Sequence, residues 1–436
     1  MPLSQSGRSG KLFTPLGKDK LCLVSVKTRE SLGRLFECEI HAVSEDCHID
    51  FDALIGQPCH VELDRGYSGK RMVHGRLSNG EWLGVEDDFA HYKLTLRPWF
   101  WLLDRTSDCR IFHDKNVLEI IRETFERHGF SDFRIATSHE YPTLHYTVQY
   151  CETDFNFLSR LMELHGIYYY FEHSASAHIL TLCDGPSSHV KHADLSNVMY
   201  VPGKEDGSYA TQRPMVGSWR PTRALRSGRA ALQDFNHLTP NTQMLGEASE
   251  SAQHKHGDLE LFHYPGPHAQ QHHGENYARV RLQAEKAQDK RREARGYAVS
   301  AYAGAPMRLG FHPRESENVE HLFVSVNFTY GPQYYWSQDD AEEPTYEGEY
   351  DLLPFDIPFR TPQTTPKPRI ASLQTAIVVG QSGEEIDCDD HGRILVRFHW
   401  DRLKGKSCRV RVSQVWAGQG WGGQIIPRIG MEVMVA

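Results

Sequence analysis

Paired cysteines are the first thing this 436-residue sequence lacks. Its nine cysteines, Cys22, Cys38, Cys47, Cys59, Cys109, Cys151, Cys183, Cys388 and Cys408, are scattered, odd in number and never at C-x-x-C spacing. That pattern argues against a disulfide or zinc framework and fits folding in a reducing compartment. Long apolar runs are missing too. "WFWLL" (99–103) and "GIYYYF" (166–171) fall far short of the roughly 20 residues a spanning helix needs, so no stable membrane insertion is expected. The opening "MPLSQSGRSGKLFTPLGKDK" has no apolar core of a secretory signal, and any export is expected to use a route without a cleaved leader. Basic residues are in deficit, 48 Lys and Arg against 57 Asp and Glu. The net charge of −9 repels phosphate, and no nucleic-acid partner is expected. G-x-S-x-G elbows, P-loops and H-E-x-x-H helices do not occur, so no catalytic residue, cofactor-binding residue or metal ligand is assigned.

What remains is an ordinary globular composition, 39% hydrophobic and 24% charged, long enough for roughly two to four domains. Most of it reads as short strands: "KLTLRPWFWLL" (93–103), "GIYYYFEH" (166–173), "AHILTLCD" (177–184) and "HLFVSVNFTYG" (321–331) are rich in β-branched and aromatic residues, bounded by turn formers. Three helical segments interrupt them. In 114–129, Asp114 is the expected N-cap, Val117, Leu118, Ile121 and Phe125 form a stripe, and Gly129 ends it. In 153–166, Thr153 caps, Phe155, Leu158, Leu161 and Met162 share a face, and Gly166 stops the helix. The third, 275–296, ends in Arg291, Arg292 and Arg295, which suit a helix C-terminus. With Glu285, Asp289 and Glu293 interleaved, this run reads as a solvated face and not a nucleic-acid patch. Residues 337–369 are acidic, then proline-rich, and read as an extended connector. The fold class expected is mainly β with a few helices (α+β).

After residue 370 the alternation is regular. Ile394, Val396, Phe398 and Trp400 fall on one face of "RILVRFHWD", and Val410 and Val412 of "CRVRVSQ" can share the same interior. "DDHGR" (389–393) between them reads as a hairpin turn, with Gly392 free to take positive φ and Asp389 and Asp390 bonding nearby backbone. A metal site of Asp387, Cys388, Asp390 and His391 is disfavoured, because strand alternation sends Asp387 and Cys388 to opposite faces. The histidines of "HKH" (254–256) and "HAQQHH" (268–273) read as solvated loop residues. A cell-wall hydrolase stays open as a reading of another class, since two carboxylates need meet only in space.

"GEEI", "GRILVRFHWDR", "RVRVSQ", "WAG", "WG" and "IPRIG" in residues 368–436 resemble the barrel of VgrG, the valine–glycine repeat spike family of type VI secretion. "QYCETDFNFLSRLMELHGIYYYFEH" (149–173) and "GFHPRESENVEHLFVSVNF" (310–328) are similar to that family's hub. The resemblance implies a phage tail hub-like region over 1–369, built of two interleaved small β-barrels, and an OB-fold-like barrel over 370–436 that is incomplete at its C-terminus. It also implies a homotrimer on the hexameric Hcp tube, carrying a tip protein or effector through a β-helical needle missing here. No cofactor is implied. Such a component is assembled in the bacterial cytoplasm and then exported by the machine it belongs to; a hub of a phage or other contractile tail is the nearest alternative.

Overall fold

The structure is a computed structural model, described for all residues except 1–2, 65–68, 209–212, 336–343 and 419. The described residues are mainly β, with three α-helices among them: α1 (Val117–Arg127), α2 (Asp154–His165) and α3 (Gln271–Lys286). The chain divides into two compact units. The first comprises 1–101, 130–139 and 162–363, the second 102–129, 140–161 and 364–436.

A thirteen-stranded sheet organises the first unit. Its longest strands alternate inward and outward, as a period of two requires. In Glu320–Gly331, Val326, Phe328 and Tyr330 point into the core, and Tyr346, Tyr350 and Leu352 of the neighbouring strand meet them. Phe328 and Tyr346 stack at 5.3 Å. Glu320–Gly331 pairs with Thr345–Pro354 on one side and Pro306–Gly310 on the other, and the pairings return to it through six strands. The Arg71–Glu30 ion pair lies inside this unit at 2.7 Å, with Arg71 over the Phe328 ring. Burial pushes the Glu30 carboxyl upward, and Arg71 opposes it.

One seam of this sheet is closed by side chains. Strands Gly10–Phe13 and Cys22–Ser31 share no ladder in the sheet order, yet two buried glutamines tie them together. Gln5 accepts from Leu12 N at 2.6 Å and Leu23 N at 3.0 Å, and donates to Leu12 O at 3.0 Å. Gln333 accepts from Gly10 N at 3.1 Å and donates to Gly10 O at 3.0 Å and Leu23 O at 3.1 Å. A primary amide carries one acceptor and two donors, the functions a peptide group offers to a ladder, so each glutamine substitutes for missing rungs.

The second unit holds α1 and most of α2. Asn116 caps α1 through a capping box with Glu119. Asp114, the cap expected from sequence, instead has φ +48° two residues upstream, because the strand Ser107–Lys115 runs on to the helix. Thr153 Oγ1 accepts from Asn156 N at 3.1 Å at the start of α2. The buried Asp154 beside it receives Thr106 Oγ1 at 2.7 Å, Gln149 Nε2 at 2.9 Å and His128 Nε2 at 2.9 Å, together with Arg127. Burial alone would raise this carboxyl; those four partners outweigh it and hold it below the usual carboxylate range.

Three expectations are corrected. The third helix ends at Lys286, and Lys290–Tyr297 is a strand. Helix propensity favoured the longer helix, but Arg291 and Arg292 reach across to Asp351 and Glu317. "WFWLL" does not continue its strand; Pro98 ends the ladder and Trp99–Arg105 forms a 3₁₀ turn. The connector expected over 337–369 contains a core strand, Thr345–Pro354, whose tyrosines supply the buried face; residues 337–343 of that reading lie outside the described ones.

Candidate assembly surface on the C-terminal sheet

The turn and sheet of residues 374–435 carry most of the residues singled out by the sequence. Gly392 has φ +67°, a region that costs residues with a β-carbon. Asp389 Oδ1 accepts from His391 N and Arg393 N, each at 3.0 Å, and Gly392 N donates to Asp389 O at 2.9 Å. Slight burial acts upward on this carboxyl, and the bonds from Arg393 and His391 outweigh it, leaving a pKa of about 2. Asp390 and His391 are exposed. Asp387 pairs with Arg409 at 2.6 Å, Cys388 bridges to Ile394 through its backbone, and no group of three metal-ligating side chains exists among the described residues.

Leu395–Phe398 and Glu432–Val435 flank Gln374–Val379 in a three-stranded antiparallel sheet. Ile394 and Val396 are buried with Ala376 and Val378, and Phe398, Val410 and Val412 pack against them. Trp400 stacks on Phe398 at 4.9 Å and donates Nε1 to Gln374 Oε1 at 3.0 Å. Gln374 in turn donates to the Tyr150 hydroxyl at 2.6 Å. The segment Cys408–Gln414 forms no ladder beyond the Val410–Ile394 bridge. Ser407 takes its place, donating N to Val396 O at 2.8 Å while its Oγ accepts from Val396 N at 2.9 Å.

Beside this sheet, several large apolar side chains of residues 415–425 and of the last strand stand in water. Val415 is 91% exposed, Met434 68% and Trp416 64%, with Ile425 and Trp421 close behind. The two tryptophans are held edge to face at 5.6 Å. Gln414 clasps both backbone groups of Ile425, at 3.0 and 2.8 Å. The sequence placed these tryptophans at a barrel corner; their exposure had no signal in it. Large apolar side chains grouped in water mark contact surfaces, and aromatic anchors dominate such contacts.

Other candidates resolve into structure. Trp99, Phe100, Tyr168, Tyr169 and Tyr170 of the two aromatic segments are all at most 2% exposed and belong to the core. His268 is buried against Met244 O at 2.7 Å, while His254 and His256 lie exposed in a turn. In the cleft lined by Glu293, Glu349 and Asp351, Glu349 pairs with Arg295 and Asp351 with Arg291, an arrangement that joins strands.

Residues 29–334 match the family model of the phage tail baseplate hub (GPD), and the chain belongs to that family. It is similar to the type VI secretion system spike proteins VgrG1b and VgrG1a of Pseudomonas aeruginosa. The identity is 38% over 440 residues, covering 100% of this chain and 59% of that protein, and 39% over 426 residues, covering 97% and 66%. The chain thus spans about three fifths to two thirds of those relatives. In fold it is similar to an Escherichia coli type VI secretion component described as resembling the bacteriophage T4 tail proteins gp27 and gp5. The TM-score is 0.68 at 19% identity, covering 98% of this chain and 96% of that one. A Neisseria meningitidis tail protein matches with a TM-score of 0.56 at 11% identity, covering 82% and 99%.

Proposed function

We propose that this chain is the hub and adjoining barrel portion of a type VI secretion spike: a structural component that sits as a homotrimer on the hexameric Hcp tube and delivers effectors into target cells. The observation that carries the reading is identity of 38 to 40% with three VgrG spike proteins across 97 to 100% of the chain. In this reading residues 1–369 are a hub of two small β-barrels, for which the six-strand ring of pairings and the glutamine-closed seam are support. Residues 370–436 are an OB-fold-like barrel, with Asp389, Asp390 and Gly392 as its turn and Ile394, Val396, Phe398, Trp400, Val410 and Val412 as its interior. Assembly takes place in the bacterial cytoplasm and export follows without a cleaved signal. The tip protein or effector is carried beyond this barrel.

The exposed apolar surface of the C-terminal sheet supports self-association, because three copies meeting there would cover Trp421 and Met434. Native mass spectrometry of the full chain is expected to give a trimer that binds Hcp hexamers, and Trp421→Lys with Met434→Lys is expected to give monomers. A trimer that survives both substitutions would move the threefold contact into the hub. A monomeric parent chain that ignores Hcp would overturn the reading.

A further inference from the structure

Two thiols in the second unit are placed for chemistry that the spike reading does not use. Ser107–Lys115 and Leu144–Thr153 pair antiparallel, with Asp108 opposite Glu152 and then Arg110 opposite Gln149. Cys109 therefore faces two residues, Tyr150 and Cys151, across a bulge. Cys151 takes φ +47°, a left-handed conformation that glycine adopts freely and a cysteine does not. The side chain is exposed and adds no core packing in return. The bulge instead aims its sulfur at the neighbouring strand. Cys151 Sγ lies 3.4 Å from Cys109 Sγ, and Cys151 N donates to Cys109 Sγ at 3.2 Å.

We infer that Cys109 and Cys151 are an oxidisable dithiol site, closed into a cross-strand disulfide by exchange with a disulfide oxidant. A disulfide needs its sulfurs at about 2.05 Å, so closure draws them roughly 1.4 Å nearer, a side-chain rotation with the strands already in register. Cys151 reacts first because it is the exposed member. Its thiolate attacks one sulfur of the oxidant R–S–S–R, forming a mixed disulfide and expelling one thiolate, RS⁻. Cys109 then gives up its proton, and its thiolate attacks the Cys151 sulfur and expels the second RS⁻. The two cysteines lose two electrons and two protons; the oxidant gains them and leaves as two thiols. Burial raises the Cys109 thiol above its ordinary pKa, which suits the resolving role. The bond is absent in a reducing compartment and forms in an oxidising one. It joins residues 42 apart and encloses α1, so it restricts the unfolded chain. This inference stands independently of the spike reading, and it concerns one pair, not a framework.

The test uses the full chain, reduced and then equilibrated with glutathione and its disulfide, alkylated and mapped by mass spectrometry. The expected product is a linked Cys109–Cys151 peptide two hydrogens lighter, with Cys47 and Cys388 still alkylated. Tm should rise by about 5–10 °C and fall back with dithiothreitol. Cys109→Ser should arrest as a glutathione adduct on Cys151. Cys151→Gly, relaxed at positive φ, should keep its reduced Tm and lose the response to oxidant. Parent protein carrying glutathione on Cys151 with Cys109 still alkylated, or Cys151 of two chains linked together, would overturn the inference.

Discussion

The first unit and the C-terminal sheet of the second differ in where they place polar side chains. The first unit draws polar side chains in: Gln5, Gln333, His74, His178 and His321 are at most 6% exposed, each with a partner to meet it. The C-terminal sheet buries only a small set around Ile394 and Val396 and leaves tryptophan and methionine in water. The first unit also exposes large apolar side chains, Trp82, Val85 and Phe311 among them, so what sets it apart is the set of polar groups it draws inside. Large apolar groups left outside, in either region, gain stability when something covers them.

The largest expected effect concerns acid. Burial lowers His74, His165, His189 and His321 to about 4, His173 to about 3 and His178 to about 2, against roughly 6.5 when unfolded. His74 and His178 share a ring-nitrogen contact at 2.9 Å, and His178 Nε2 accepts from Trp99 N at 2.8 Å, a bond that protonation removes. The native state binds fewer protons than the unfolded chain below about pH 6.5, so stability falls as pH drops from there toward the folded values. Each group contributes up to roughly 3 kcal/mol over that window; Glu30, raised by burial, acts in the opposite direction but alone. Among the described residues of the second unit no histidine is comparable: His113, His128, His145, His391 and His399 are exposed or half-buried. Hydrogen exchange at stepwise lower pH is expected to show the first unit opening between pH 6 and 4 while α1 and the C-terminal sheet stay protected. Simultaneous loss of both would break the comparison.

Next in size is the glutamine seam. Gln333→Leu strands the N–H and carbonyl of Gly10 and leaves Leu23 O with the Tyr335 hydroxyl alone, a loss of about 2–4 kcal/mol read by urea unfolding. A change under 1 kcal/mol would mean that water replaces the amide and the closure is incidental.

The smallest effect is at the turn. Gly392→Val forces a β-branched residue to positive φ and is expected to cost about 1–2 kcal/mol, whereas Asp390→Asn and His391→Gln should be nearly silent. Zinc bound stoichiometrically and lost with His391→Gln would instead revive the metal reading.

Much of the strand content, and the ends of α1 and α2 at Gly129 and Gly166, could be read from local sequence, because turn formers and side-chain periodicity act over a few residues. "KRREARGY" could not, since its strand state depends on Asp351 and Glu317, far along the chain. Nor could the glutamine seam: an isolated Gln5 or Gln333 looks like any surface amide until the backbones beside it are known. The Cys109–Cys151 approach failed to register for the same reason, as spacing of 42 residues matches no local pattern. The exposure of the tryptophans could not be read either, since a glycine-rich aromatic loop such as "WAGQGWGG" reads equally as a buried corner.

The glutamine seam also bears on how this body carries force. In a backbone ladder, neighbouring rungs share a tensile load and fail together. Two swivelling amides localise it at two clips, and Gly10–Phe13 keeps its full ladder to Pro58–Asp64 when they release. A pull across that seam is therefore expected to part Gly10–Phe13 from Cys22–Ser31 at the two amides before any backbone ladder yields, and Gln333→Leu leaves only the Gln5 clip.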